Sequence, residues 1–200
     1  MNGQVLEKVS QHGEAVFDIY DKLSSNRTLF LSELIYDEVA SGIVATLFLL
    51  DSISHDQITI ILNSEGGDIQ DILSIYDAMN IIQSPKRVLC VGSAMEQTSL
   101  ILAAGTKGLR SATQNAVIAP SKINFNRSNY SDLTDAKITM DQIKKYNKTY
   151  LSCLSKCSGK KVADLEKDLE KTRFMSPPEA IKYGLIDNVM KNGKSNKKDK

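Results

Sequence analysis

Residues 58–79 read ITIILNSEGGDIQDILSIYDAM, and the order of features in this stretch decides the architecture. Ile58 to Leu62 is an unbroken, mostly β-branched run, the form expected of a strand buried on both faces. Asn63-Ser64-Glu65-Gly66-Gly67-Asp68 follows as a tight loop. Ile69, Ile72, Leu73, Tyr76 and Met79 then recur at helical spacing until Ser84-Pro85 stops the helix. Strand, glycine loop and helix in that order are half of a parallel α/β unit.

The same alternation extends outward. Upstream, residues 28–31 read as a short strand, and from Glu33 onward Ile35, Val39, Ile43 and Leu47 mark a helix whose stripe Val44, Phe48 and Leu50 widen. Residues 3–25 are mixed and polar. Downstream, residues 88–91 are a strand, 92–95 a turn and 97–104 a short helix closed by Gly105. Residues 117–119 are a strand ending at Pro120, and a long helix is predicted over about 133–158. Ser176-Pro177-Pro178-Glu179 has the form of a capping box with proline at the first helical position. Gly184 ends that helix, and Leu185-Ile186 reads as a last strand. An α/β fold with parallel strands follows, organised as one domain over residues 1–190 plus a Lys-rich tail, 191–200, expected to be frayed.

Composition excludes several function classes. Lys plus Arg number 25 against 24 Asp plus Glu, and five of the Lys sit in the tail, so the body lacks the basic stripe of a nucleic-acid binder. The longest apolar run, residues 43–50, is far shorter than the ~20 residues of a membrane span, and no secretion signal is legible. Three cysteines, Cys90, Cys153 and Cys157, do not make a disulfide framework and suggest a reducing compartment. Cys153 and Cys157 stand at i and i+4 with no third ligand nearby, so a helix face, not a metal site, is expected. Only two histidines exist, His12 and His55. Any imidazole chemistry must use one of them.

Two loops lie where strands hand over to helices, the usual place for a site in such a sheet. Gly66-Gly67 serves either as a turn requiring positive φ or as a loop whose backbone N–H groups help form an oxyanion hole. Val91-Gly92-Ser93-Ala94-Met95-Glu96-Gln97 is a strand-to-helix turn of the nucleophile-elbow type.

Around these loops the chain resembles the proteolytic subunit of the ATP-dependent Clp protease, a serine peptidase family. The resemblance is carried by Phe17-Asp18-Ile19-Tyr20, Arg27, Asn63-Ser64, Gly66-Gly67, Ser74 to Met79 and Cys90-Val91-Gly92. It continues through Ala103 to Gly108, Arg110, Arg173 to Ala180 and Tyr183 to Asp187. It implies a crotonase-type ββα superhelix with a protruding helical handle, here about residues 122–150. It also implies seven-membered rings stacked in pairs and fed by an AAA+ unfoldase, with no cofactor or metal.

The departures are at the reactive positions. Where the family has its nucleophilic serine, four residues after Gly92, this chain has Glu96. Counting from Asn115 along the next strand, the family's histidine falls on Ser121. The family's aspartate is matched to Asp168, and Glu65 replaces the proline before Gly66. The oxyanion loop is then Gly66, Gly67 and Gln97, with the Glu96 carboxylate expected to accept hydrogen bonds from the Gly67 and Gln97 N–H groups. No triad is intact. Loss of the serine or the histidine alone costs about 10⁶ in kcat in a studied peptidase, and losing both costs little more.

The resemblance with these losses implies a non-catalytic subunit, structural or regulatory, in mixed seven- or fourteen-membered rings with catalytic Clp subunits. It would work in a bacterial cytoplasm or a plastid stroma; the preference for Lys over Arg accompanies A+T-rich genomes such as a plastid's. Two alternatives stay open. One is a weak serine peptidase with a relocated nucleophile, using Ser99 or Ser93, a Ser121–Lys122 dyad or a histidine. The other is a crotonase-like acyl-coenzyme A enzyme using Glu96 as acid and base.

Overall fold

In the computed structural model, which describes residues 4–8, 14–123 and 133–191, the chain alternates strands and helices. It opens with β1 (Gln4–Lys8), β2 (Glu14–Asp18), α1 (Ile19–Ser25), β3 (Thr28–Leu31) and α2 (Asp37–Ile53). Then come β4 (Ile58–Ser64), α3 (Ile69–Ile81), β5 (Lys86–Met95), a 3-10 turn (Glu96–Thr98), α4 (Ser99–Ala103), β6 (Arg110–Ala112) and β7 (Val117–Ala119). The remainder is α5 (Leu133–Ser158), α6 (Val162–Asp168), α7 (Pro177–Tyr183) and β8 (Asn188–Val189). His12, the tail beyond 191 and residues 124–132 of the expected handle lie outside the described residues.

Strands β3 to β8 form one sheet in the order β3-β4-β5-β6-β8, with β7 beside the far half of β5. Every pairing in it is parallel. The β-branched run of β4 supplies the middle of the core: Ile58, Ile60 and Leu62 are fully buried with Leu47 of α2 and Ile72, Ile75 and Met79 of α3. Each such side chain contributes about 1.5–3 kcal/mol on burial. The opposite face, Thr59 and Ile61, is only half-buried. The strand is therefore covered on one side rather than two.

Several boundaries differ from the sequence reading, each because a distant partner intervenes. Residues 92–95 continue β5 instead of turning, because β7 pairs with Ser93, Ala94 and Met95 after β6 has paired with Val88, Leu89 and Cys90. Helix α2 starts at Asp37, not Glu33. Ile35 is held extended by its N–H bond to Gly66 O (3.0 Å) and by the Asp68 N–H bond to its own carbonyl (2.8 Å). Leu185 and Ile186 are core residues, and the last strand is Asn188–Val189, which pairs with Ser111 and Ala112. The N-terminal segment, read as irregular, contains the antiparallel hairpin β1–β2. Gly105 ends α4 without a positive φ: a Cβ there would press on Arg110 and Val88 (2.9 Å each), so its role is close packing. The capping box of α7 forms as read, with Ser176 N–H donating to Glu179 (2.8 Å) and Gly184 at φ 91°.

Candidate active site

The C-terminal ends of β4 and β5 bring the two glycine-bearing loops together. Gly67 forms a parallel bridge with Ile35 so close that a Cβ would overlap the Ile35 carbonyl oxygen. Only glycine allows that approach. On β5, Gly92 sits at φ 100° against the Asn63 side chain, whose Oδ1 accepts bonds from Ser93 N–H (3.0 Å) and Ser93 Oγ (3.2 Å). These contacts fix the approach to the elbow.

At the elbow Glu96 has φ 50°. A side chain in this left-handed region is strained by about 1 kcal/mol or more, and such strain persists only where surrounding bonds impose it. Here Thr98 Oγ1 donates to the Met95 and Ser64 carbonyls, and Ser99 Oγ donates to Glu96 O (2.7 Å). The turn keeps the shape that presents a nucleophile, and presents a carboxylate.

That carboxylate lies over the glycine loop. A Cβ at Gly66 would stand 2.6 Å from Glu96 Oε2. The hydrogen bonds expected from the Gly67 and Gln97 N–H groups are not made; among the described residues the carboxylate accepts none and joins no ion pair. The side chain is half-buried. Gln97 turns inward instead, and its Nε2 donates to Ser121 O (3.1 Å) with both residues buried. A neutral amide thus ties the residue after the nucleophile position to the histidine position. Ser121 Oγ is spent on the Lys122 carbonyl (3.2 Å).

Asp168 is engaged in ion pairs of its own, beside a segment that runs along Ser121. Residues 118–122 lie antiparallel to 169–175: Ile118 and Met175 exchange backbone bonds, Arg173 N–H donates to Pro120 O (3.2 Å) and Lys122 N–H to Leu169 O (3.3 Å). The pairing is regular from Ile118–Met175 to Pro120–Arg173 and slips by two residues before Lys122–Leu169, so Ser121 lies at the irregularity and exposed Thr172 adjoins the last regular pair. Asp168, at the end of α6, points its carboxylate at Arg173 (3.4 Å) and Lys160 (3.8 Å). Tyr183, pushed above the usual phenol range by burial and then by the Asp168 carboxylate, lies beneath those two cations.

Among the described residues the substitute nucleophiles do not come together with a histidine or lysine base. Ser99 is fully buried, bonded to the Glu96 carbonyl and near the Tyr150 hydroxyl (3.3 Å). Ser93 is tied to Asn63. Ser121 is buried while Lys122 is exposed, on opposite sides of an extended segment as expected. His55 is exposed, paired with Asp51 (3.2 Å), and precedes β4 at the end remote from the elbow, roughly 20 Å along the strand. All three cysteines are free thiols raised by burial, Cys90 to about 12, which is the wrong direction for a thiolate nucleophile.

Beside the elbow a groove of about 310 Å³ opens between the glycine loop, the start of α3 and the inner face of α5. Ile69, Ile123, Ile143 and Tyr146 supply its apolar walls, and Glu96 and Gln97 one end. Among the described residues no group of His, Cys, Asp and Glu is placed to hold a metal ion, and no helix is long and apolar enough to cross a membrane.

A family model described as Clp protease matches residues 11–193. The ATP-dependent Clp protease proteolytic subunit of Deinococcus radiodurans is 36% identical over 196 residues, 96% of this chain and 94% of that one. The same-named subunit of Ligilactobacillus salivarius is 35% identical over 191 residues, 95% of each chain. The ATP-dependent Clp protease proteolytic subunit 1 of Cutibacterium acnes is 30% identical over 185 residues, 92% of this chain and 86% of its own.

Proposed function

Because the chain belongs to the Clp protease family, we propose that it is a non-catalytic subunit of an ATP-dependent Clp-type protease, structural or regulatory within the ring. The observation that carries this reading is the elbow, folded to the strained φ 50° with a carboxylate on it and Gln97 bonded across to Ser121. Acyl transfer needs a nucleophile, a base within hydrogen-bond reach and something to orient the base. On this reading Glu96 and Ser121 hold the first two positions, and Thr172, next to the Pro120–Arg173 pair, is taken for the third in place of Asp168. A fixed anion at the elbow also opposes the negative charge of a tetrahedral intermediate.

The subunit's place is a mixed seven- or fourteen-membered ring with catalytic Clp subunits, receiving substrate from an AAA+ unfoldase in a bacterial cytoplasm or plastid stroma. Exposed Phe48, Leu49 and Ile53 of α2 and Ile81 of α3 support a life in an assembly, since monomers rarely leave such groups together in water. The test is turnover of a fluorogenic dipeptide by the purified chain, with fluorophosphonate labelling alongside. No turnover and no labelling are expected, and native mass spectrometry should find the chain in rings with other subunits. Hydrolysis abolished by changing one of its own side chains, or a homogeneous active fourteen-subunit particle, overturns the reading.

A further inference from the structure

We propose that the groove beside the elbow is a holding site for a basic peptide side chain, which it binds without cleaving; this rests on the non-catalytic reading above. The groove combines two features that rarely serve the same ligand. Its walls carry apolar Ile69, Ile123, Ile143 and Tyr146 beside neutral polar side chains such as Thr139 and Gln142, and its charged groups are carboxylates only, Glu96 and Asp68. No Lys, Arg or His lines it among the described residues. Asp68 is occupied at least in part by its cap on α3, Oδ1 accepting from Gln70 N–H (2.8 Å). Glu96 is the acceptor left over, half-buried and unpaired among the described residues, with Oε2 held over Gly66 at the inner end.

A ligand that fits must bring an aliphatic body for the walls and a cation for the end. A lysine or arginine side chain is built that way, with a methylene stem that buries and a charged head that donates hydrogen bonds. An acidic residue meets like charge, and an apolar residue leaves the carboxylate desolvated and unmatched. Replacing a serine hydroxyl by Glu96 therefore changes what the groove retains as well as what it can react with. An extended segment with a basic residue would be held in place, while its carbonyl meets no nucleophile.

The test is fluorescence anisotropy with the full-length chain and three fluorescein-labelled octapeptides of Ala, Leu and Gly. They differ at one central residue, which is Lys, norleucine or Glu. The Lys peptide is expected to bind about tenfold tighter than the norleucine twin at low salt, with the Glu peptide weakest. Glu96→Gln should bring the Lys and norleucine peptides together, and added salt should narrow the gap in the unmodified chain. Equal affinities, no measurable binding of any peptide, or a preference that survives Glu96→Gln overturns the inference. Mass spectrometry of the recovered peptides separates the two readings. A cleaved peptide refutes the non-catalytic assignment whatever the ranking, and intact peptides with no ranking refute only the holding site.

Discussion

Two buried polar regions of this molecule have opposite histories in chemical terms. At Arg110, 1% exposed, every guanidinium nitrogen is engaged: Nε and Nη2 grip Asp187 (2.9 and 2.6 Å), and Nη1 reaches the carbonyls of Ala103, Cys157 and Gly184 (3.2, 3.0 and 3.0 Å). One guanidinium thereby joins the ends of α4, α5 and α7 to β6 and the approach to β8. At the elbow, the backbone is held as tightly, yet the Glu96 carboxylate accepts no hydrogen bond among the described residues. The contrast teaches that the shape of an active site and its chemistry are held by different atoms. Backbone and hydroxyl hydrogen bonds around residues 92–99 impose the turn whatever stands at 96, whereas the clamp fails if Arg110 itself is altered.

The sharpest way to break this contrast is to rebuild the corner on the existing frame. Glu96→Ser, Ser121→His and Thr172→Asp together should give dipeptide hydrolysis that the first two changes alone do not. The gap is expected near 10⁴-fold, the cost of a missing orienting aspartate in studied triads. If the two-residue variant with Asp168 left as it is hydrolyses equally well, Thr172 does not hold the third position. Steady-state kinetics on the double and the triple variant decides between them.

Next in size is the clamp. Arg110→Met should lower stability by about 3–5 kcal/mol, because it strands the Asp187 carboxylate. Urea unfolding followed by circular dichroism measures it. A loss under 1 kcal/mol would place the two regions on the same footing. The same pair gives a pH signature. Hydrogen bonds from Arg110, ahead of the opposing effect of burial, hold the Asp187 carboxyl below the ordinary carboxylate range. Its contribution is thus full above about pH 4, where the unfolded chain has also lost that proton, and declines as acid titrates the folded carboxyl. Arg110→Met should flatten that part of the stability curve.

The smallest effect probes strain at the elbow. Glu96→Asn, which tolerates a positive φ, should stabilise the chain by about 0.5 kcal/mol, and β-branched Glu96→Val should destabilise it by about 1–2 kcal/mol. Equal values for the two would mean that φ 50° is not imposed on the position.

Much of this was legible residue by residue. Helix α3, strand β4, helix α5 and the box at Ser176 announce themselves because their signals are local: apolar spacing, β-branched runs, a serine three residues before a glutamate. The short strands β6 and β8, three and two residues long, carry no alternation to detect and exist only because neighbours pair with them. Helix α6, about two turns of mostly charged residues, has the single buried side chain Leu165 and was missed for the same lack of pattern.

What the chain of residues alone determined is the parallel α/β architecture, the membership of its family and the identity of Glu96 at the elbow and Ser121 after the next strand; these are properties of residue type and order. Which residues run alongside Ser121 needed three dimensions. Glu166-Lys167-Asp168 and Glu170-Lys171-Thr172 are near copies four residues apart, and no local rule ranks one above the other. Hydrogen bonds from Arg173 to Pro120 and between Ile118 and Met175 set which of them lies next to the Pro120–Arg173 pair. Pairing between segments fifty residues apart is settled by the register of a whole strand.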